Sequence, residues 1–122
     1  MKQFEMQFRV RYSEADRMGF VYYAHYAQYF EVTRVEMLRQ LGLNYKEIED
    51  SGILLPVVNY SIRFFKPAYY DDEILIVATV KNPPMASIVF HYETFNAKSE
   101  MINQAEITLA FVDKKSGKPM RA

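Results

Sequence analysis

The chain has no cysteine, no tryptophan, only four glycines in 122 residues, and no excess of either charge. Each absence removes a class of protein. Without cysteine there are no disulfide staples, thiolate zinc sites or thiol nucleophiles. Fifteen Lys and Arg balance fifteen Asp and Glu, which leaves no electrostatic footprint for nucleic acid or for a polybasic membrane contact. No apolar run approaches the ~20 residues that span a bilayer, and the opening MKQFEMQFRVRY lacks the apolar centre of a signal peptide. A soluble, cytoplasmic protein is therefore expected. The two histidines, His25 and His91, do not stand at metal-ligand spacing, so no metal is expected. No GxSxG, GxxxxGKS/T or GxGxxG string occurs, which disfavours serine-hydrolase, nucleotide-hydrolysing and dinucleotide-dependent chemistry and leaves no cofactor to expect.

What is abundant is aromatic surface: ten Tyr and nine Phe in 14.4 kDa. One small core rarely takes so many large flat side chains, so some are expected to line a pocket or a subunit contact. With half its residues hydrophobic, a chain of this length buries roughly two-thirds of its unfolded surface without staples. A single domain over residues 1–122 is expected.

The periodicity of the hydrophobic residues changes twice along the chain. Phe4, Met6, Phe8, Val10 and Tyr12 alternate with polar residues, the pattern of a half-buried strand. Small and polar residues from Ser13 to Gly19 then mark a loop. From Tyr26 the three-four spacing of Tyr26, Tyr29, Phe30, Thr33, Met37 and Leu41 predicts a long helix, ended by Gly42. Asn44 is placed to cap a short second helix, Tyr45 to about Asp50. Four strands follow, at Val58–Phe64, Glu73–Lys81, Ser87–Asn96 and Gln104–Asp113, with short links that favour antiparallel neighbours. The order predicts an α+β fold with the helix on an antiparallel sheet of about five strands. The sheet reads as apolar on both faces, because Ile88, Phe90 and Tyr92 alternate with Val89 and His91, and such a sheet calls for a partner subunit.

The loop between first strand and helix holds the one promising constellation. Asp16 stands a few residues before a helix whose first turn, around Tyr22 to Tyr26, offers unpaired backbone N–H groups. A carboxylate beside an oxyanion site suits attack on an acyl carbon, directly or through water. Capping of the helix or loop is the other ordinary job of an Asp here. Tyr22, Tyr26 and Tyr29 read as core or interface side chains, or as contacts to an acyl group. Glu31 and Arg34, three apart on the helix, read as an ion pair.

The run from Asp16 through Arg17, Met18, Gly19, Phe20, Val21, Tyr22, Tyr23, Ala24, His25 and Tyr26, with Glu31 beyond it, resembles the signature of 4-hydroxybenzoyl-CoA thioesterase-like, hotdog-fold acyl-CoA thioesterases. The likeness continues through Phe65-Lys66-Pro67-Ala68, Asp71-Asp72-Glu73 and Phe111-Val112-Asp113. It implies a long central helix wrapped by a curved sheet, subunits joined edge to edge as a homodimer or a homotetramer (a dimer of dimers), and acyl-CoA as substrate at the interface. It also implies Asp16 as the catalytic carboxylate and Tyr23 as the residue whose N–H polarises the thioester carbonyl. Tyr22, His25 and Tyr26 are then the candidate substrate contacts. The family carries either His or Tyr at Tyr23, so an imidazole plays no part at that position here, and His25 replaces a common Asn. Two functions fit: an acyl-CoA thioesterase without cofactor, or a non-catalytic acyl-CoA-binding or scaffold protein on the same fold. A hydratase fits less well, because neither histidine matches its pattern.

Overall fold

The structure, a computed structural model that describes residues 1–121, runs through β1 (Lys2–Arg9), α1 (His25–Gln40), α2 (Tyr45–Asp50), β2 (Ile53–Leu54), β3 (Val57–Phe64), β4 (Glu73–Val80), β5 (Ser87–Phe95), β6 (Met101–Ala110) and β7 (Val112–Asp113). Ala122, the last residue of the expected domain, lies outside the described residues. Five strands make one antiparallel sheet in the order β1-β4-β5-β6-β3, and β2 pairs with β7 beside it. The α+β expectation and the count of main strands hold. Strand β6 begins three residues before the expected Gln104, because the Asn96 side chain accepts from Lys98 N–H and Glu100 N–H and closes the turn early.

The alternation in β1 puts Phe4, Met6 and Phe8 on the face that meets α1, while Glu5, Gln7 and Arg9 stay exposed. Antiparallel register carries that face across the sheet, from Met6 to Ile76, Thr94, Asn103 and Phe64. The sixteen residues of α1 lay Tyr26, Tyr29, Phe30, Thr33, Met37 and Leu38 on it, as the spacing predicts. Leu41 falls outside the stripe and is 48 % exposed, since the helix stops at Gln40 and Gly42 turns the chain at φ +85°. Asn44 caps α2 by accepting from Lys46 N–H at 2.8 Å.

At the centre Phe30 stacks on Tyr92 with ring centroids 4.5 Å apart. Burial pushes the Tyr92 phenol up to about 12. Arg34, expected to pair with Glu31, instead turns inward and donates to the phenol oxygens of Tyr45 and Tyr92 at 3.2 and 3.5 Å. A buried guanidinium takes the acceptors within reach, and Glu31 lies on the exposed side of the helix.

The far face of the sheet is more polar than expected. Register aligns Thr79, His91, Glu106 and Ser61 in one row and Glu93, Gln104 and Arg63 in the next, because Phe90, Tyr92 and Ile107 all point to the core. The uncovered apolar surface lies instead along β3, whose Val57, Val58, Tyr60 and Phe64, with Phe65 just beyond, are each at least 39 % exposed. Among the described residues β3 pairs with β6 alone, so its other edge presents N–H and C=O groups that they leave unpaired.

Since Phe30 is wholly buried against Tyr92, Phe30→Ala is expected to destabilise the fold by about 3–5 kcal/mol. Urea denaturation followed by circular dichroism measures the loss.

Candidate active site

The loop that follows β1 is short and heavily bonded. After a single 3-10 turn at Tyr12–Glu14, the chain doubles back so that Ala15 bridges Val21. Asp16 N–H donates to Phe20 O at 2.8 Å, and Gly19 N–H donates to Asp16 O at 3.0 Å. Within that turn Asp16 Oδ1 accepts from Met18 N–H at 2.8 Å and Phe20 N–H at 3.2 Å. Gly19 allows the reversal at φ +84°. Asp16 thus caps its own loop and not α1, whose N-cap residue, Ala24, makes no side-chain bond. The cap uses only one carboxylate oxygen. Oδ2 has no hydrogen-bond partner among the described residues.

The free backbone donors lie just ahead of α1, which begins at His25. Tyr22 N–H is taken by Glu14 O at 3.0 Å, His25 N–H by Tyr22 O and Tyr26 N–H by Tyr23 O. Between them, the N–H groups of Tyr23 and Ala24 have no acceptor among the described residues. They sit at the positive end of the helix macrodipole, where a negative charge is stabilised. Such donors are what an oxyanion requires.

Asp16, Tyr22, Tyr23 and Tyr26 line one pocket of about 490 Å³, together with Phe64 and Phe65 of the β3 edge. Four of the five residues singled out from the sequence therefore meet there. His25 does not line it: its Nδ1 faces Gln28 Oε1 at 3.3 Å on the first turn of α1. The Asp16 motif does not single out Phe64 and Phe65, although two adjacent phenylalanines that break the β3 alternation are a sign the sequence carries. Tyr22 and Tyr23 pack ring against ring at 4.6 Å with their hydroxyls 3.4 Å apart, and that bond raises the Tyr22 phenol above its ordinary value. At the inner wall, burial pushes the Tyr26 phenol up to about 12, so it stays protonated. Lys66, on the rim, is tied to Glu100.

Asp16 also borders a second depression, of about 600 Å³, walled by Tyr12, Tyr70 and Arg17. The two tyrosine rings lie 5.6 Å apart and both are more than half exposed. Arg17 makes no ion pair among the described residues.

Behind the loop lies Glu14, 4 % exposed. Its Oε1 accepts from Arg11 N–H at 2.8 Å and from the Tyr29 hydroxyl at 2.7 Å, and its Oε2 from the Arg11 guanidinium at 2.9 and 3.1 Å. Burial alone raises this carboxyl. The bonds from Arg11 and Tyr29 outweigh it and hold the group below the usual glutamate value. Burial and the Glu14 carboxylate push the Tyr29 phenol far above its ordinary range.

Comparison with known proteins supplies the class to which this antiparallel sheet and main helix belong, the hotdog-fold thioesterases. Residues 10–122 match the thioesterase-like superfamily, and the chain belongs to it. It is 33% identical over 115 residues to YneP of Bacillus subtilis, covering 94% of this chain and 83% of that one. Identity to the acyl-CoA thioester hydrolase YbgC of Escherichia coli is 29% over 116 residues, or 95% of this chain and 87% of the relative. Among solved structures, the DHNA-CoA thioesterase of Staphylococcus aureus superposes with a TM-score of 0.92 at 30% identity, covering 99% of this chain and 81% of the other.

The depressed Glu14 carboxyl fixes the sign of a pH effect. A carboxylate whose folded value lies below its unfolded one stabilises the fold above the unfolded value, and that contribution is lost as pH falls through the folded one. Thermal midpoints measured against pH are expected to drop in that acid window, and less steeply in Glu14→Gln than in the wild type.

Proposed function

We propose that the protein is an acyl-CoA thioesterase that hydrolyses a CoA thioester to a carboxylic acid and free CoA. The observation that carries this reading is that Asp16, whose Oδ2 has no partner among the described residues, and Tyr23, whose N–H has no acceptor among them, line one pocket, with the open N–H of Ala24 next in the chain. The thioester carbonyl oxygen accepts from Tyr23 N–H, with Ala24 N–H as the second donor, and negative charge gathers there as the carbonyl carbon is attacked. Asp16 Oδ2 acts either as nucleophile, giving a mixed anhydride that water then cleaves, or as the base that takes a proton from attacking water. Both routes consume one water and release the thiol. A thiol with a pKa near ~8.5 departs as thiolate without a strong general acid, and no metal or cofactor enters the scheme.

Tyr22, Tyr26, Phe64 and Phe65 supply an aromatic wall for the acyl group, and His25 stands beside it on α1. The depression at Tyr12, Tyr70 and Arg17 leaves room on the other side of Asp16 for the CoA arm, with an unpaired cation for its phosphates. Relatives named as acyl-CoA and DHNA-CoA thioesterases support a CoA thioester as substrate. In this reading α1 is the central helix around which the sheet of a single cytoplasmic domain curves. The open, apolar β3 edge joins a second copy, as a homodimer or a dimer of dimers. Phe64 and Phe65 belong both to that edge and to the pocket, so the active site forms at the subunit contact.

Purified protein is expected to release free thiol from at least one member of a panel of short, long and aromatic acyl-CoAs. Asp16→Asn is expected to lower kcat about 100-fold or more with an unchanged circular dichroism spectrum. Full activity in that variant, or acyl-CoA binding without turnover in the wild type, overturns the assignment. Val58→Lys, a charge on a side chain 60 % exposed on the β3 edge, is expected to yield monomers in analytical ultracentrifugation and to depress activity with them.

A further inference from the structure

We infer that Glu14 is a positioning residue that holds Asp16 and the open amides of Tyr23 and Ala24 in register, and this rests on the thioesterase reading above. Glu14 is too buried to meet a substrate, and the proposed chemistry makes no use of its carboxylate. Its bonds nevertheless reach the exit of β1, the loop before α1 and α1 itself. The side chain ties Arg11, at the exit of β1, to Tyr29, one turn into α1. The main-chain carbonyl of the same residue takes Tyr22 N–H.

That second bond decides which donors stay open. Tyr22 N–H is removed from the pool, so the first free N–H groups belong to Tyr23 and Ala24. Two residues on from Glu14, the loop has already turned to present Asp16. Carboxylate and donors are therefore referenced to one anchored residue, and an ångström-scale drift of that anchor separates them. Misplacement on that scale costs rate far more than it costs binding.

Glu14→Gln keeps the size of the side chain but turns an NH2 toward a guanidinium or a phenol that needs an acceptor. Tyr29→Phe removes a single hydroxyl. With an acyl-CoA that the wild type hydrolyses, Glu14→Gln is expected to lower kcat about tenfold or more with KM within about twofold, and Tyr29→Phe to lower it less. The double variant is expected to be no slower than Glu14→Gln alone, because Tyr29 acts through Glu14. Amide hydrogen exchange read by NMR supplies a measure independent of turnover: Tyr22 N–H is expected to be protected in the wild type and to exchange faster in Glu14→Gln. A purely structural role predicts additive losses and unchanged relative protection at Tyr22. Should Glu14→Gln fail to fold, Tyr29→Phe carries the test by the same two readouts. Wild-type kcat and wild-type Tyr22 protection in a folded variant overturn the inference. Asp16→Asn run alongside separates the two levels. An active wild type with a dead Asp16→Asn and an unaffected Glu14→Gln defeats the positioning role alone, whereas an inactive wild type or an active Asp16→Asn defeats both.

Discussion

The site depends on a division of labour within one carboxylate. Asp16 bonds Oδ1 to two backbone amides of its own turn, while Oδ2 has no partner among the described residues. A carboxylate with both oxygens bonded is a structural cap, and one with neither bonded sweeps through many positions. Asp16 is held and available at once, which is what pre-organised attack on an acyl carbon asks for. The same holds for the backbone donors ahead of α1. Tyr22 N–H is consumed inside the loop, and the next two amides are left unclaimed before the helix begins its own bonding.

The rest of the fold anchors the segments that carry these two features. Phe8 of β1 packs on Tyr29 of α1 with ring centroids 5.1 Å apart, and Tyr29 in turn holds Glu14. Helix position is set by the inward face of the sheet, where Phe30, Met37 and Leu38 are buried. The hydrophobic core therefore fixes the start of α1, and a short bonded loop carries that precision to Asp16. At the opposite wall the end of β3 brings Phe64 and Phe65 to the pocket. One strand edge thereby supplies both a wall of the pocket and the uncovered apolar surface of the sheet.

Much of this was legible in the sequence, and the reason differs from element to element. β1 and α1 announced themselves because each buries a single face, so period two and period three-four are written directly in the residue order. Asn44 and Gly42 marked helix ends through local bonding that needs no tertiary information. The Asp16 segment stood out by its order of residue types, and the structure brings Asp16, Tyr22, Tyr23 and Tyr26 to one pocket. What was not legible depended on the third dimension. Arg34 reads as a helix-surface partner of Glu31 until Tyr45 and Tyr92 arrive from distant segments. The polarity of the outer sheet face follows from register across four strands, which no single strand encodes. Glu14 carries no motif at all, and its importance appears only when Arg11, Tyr29 and Tyr22 are seen to converge on it.

The most direct measurement is a crystal structure of the protein with a non-hydrolysable thioether or ketone analogue of a turned-over acyl-CoA. The account places the carbonyl oxygen of a ketone analogue about 2.7–3.1 Å from Tyr23 N–H or Ala24 N–H, with the carbonyl carbon facing the free oxygen of Asp16. An analogue bound with its reacting centre away from Asp16, or with those amides turned to water, contradicts it.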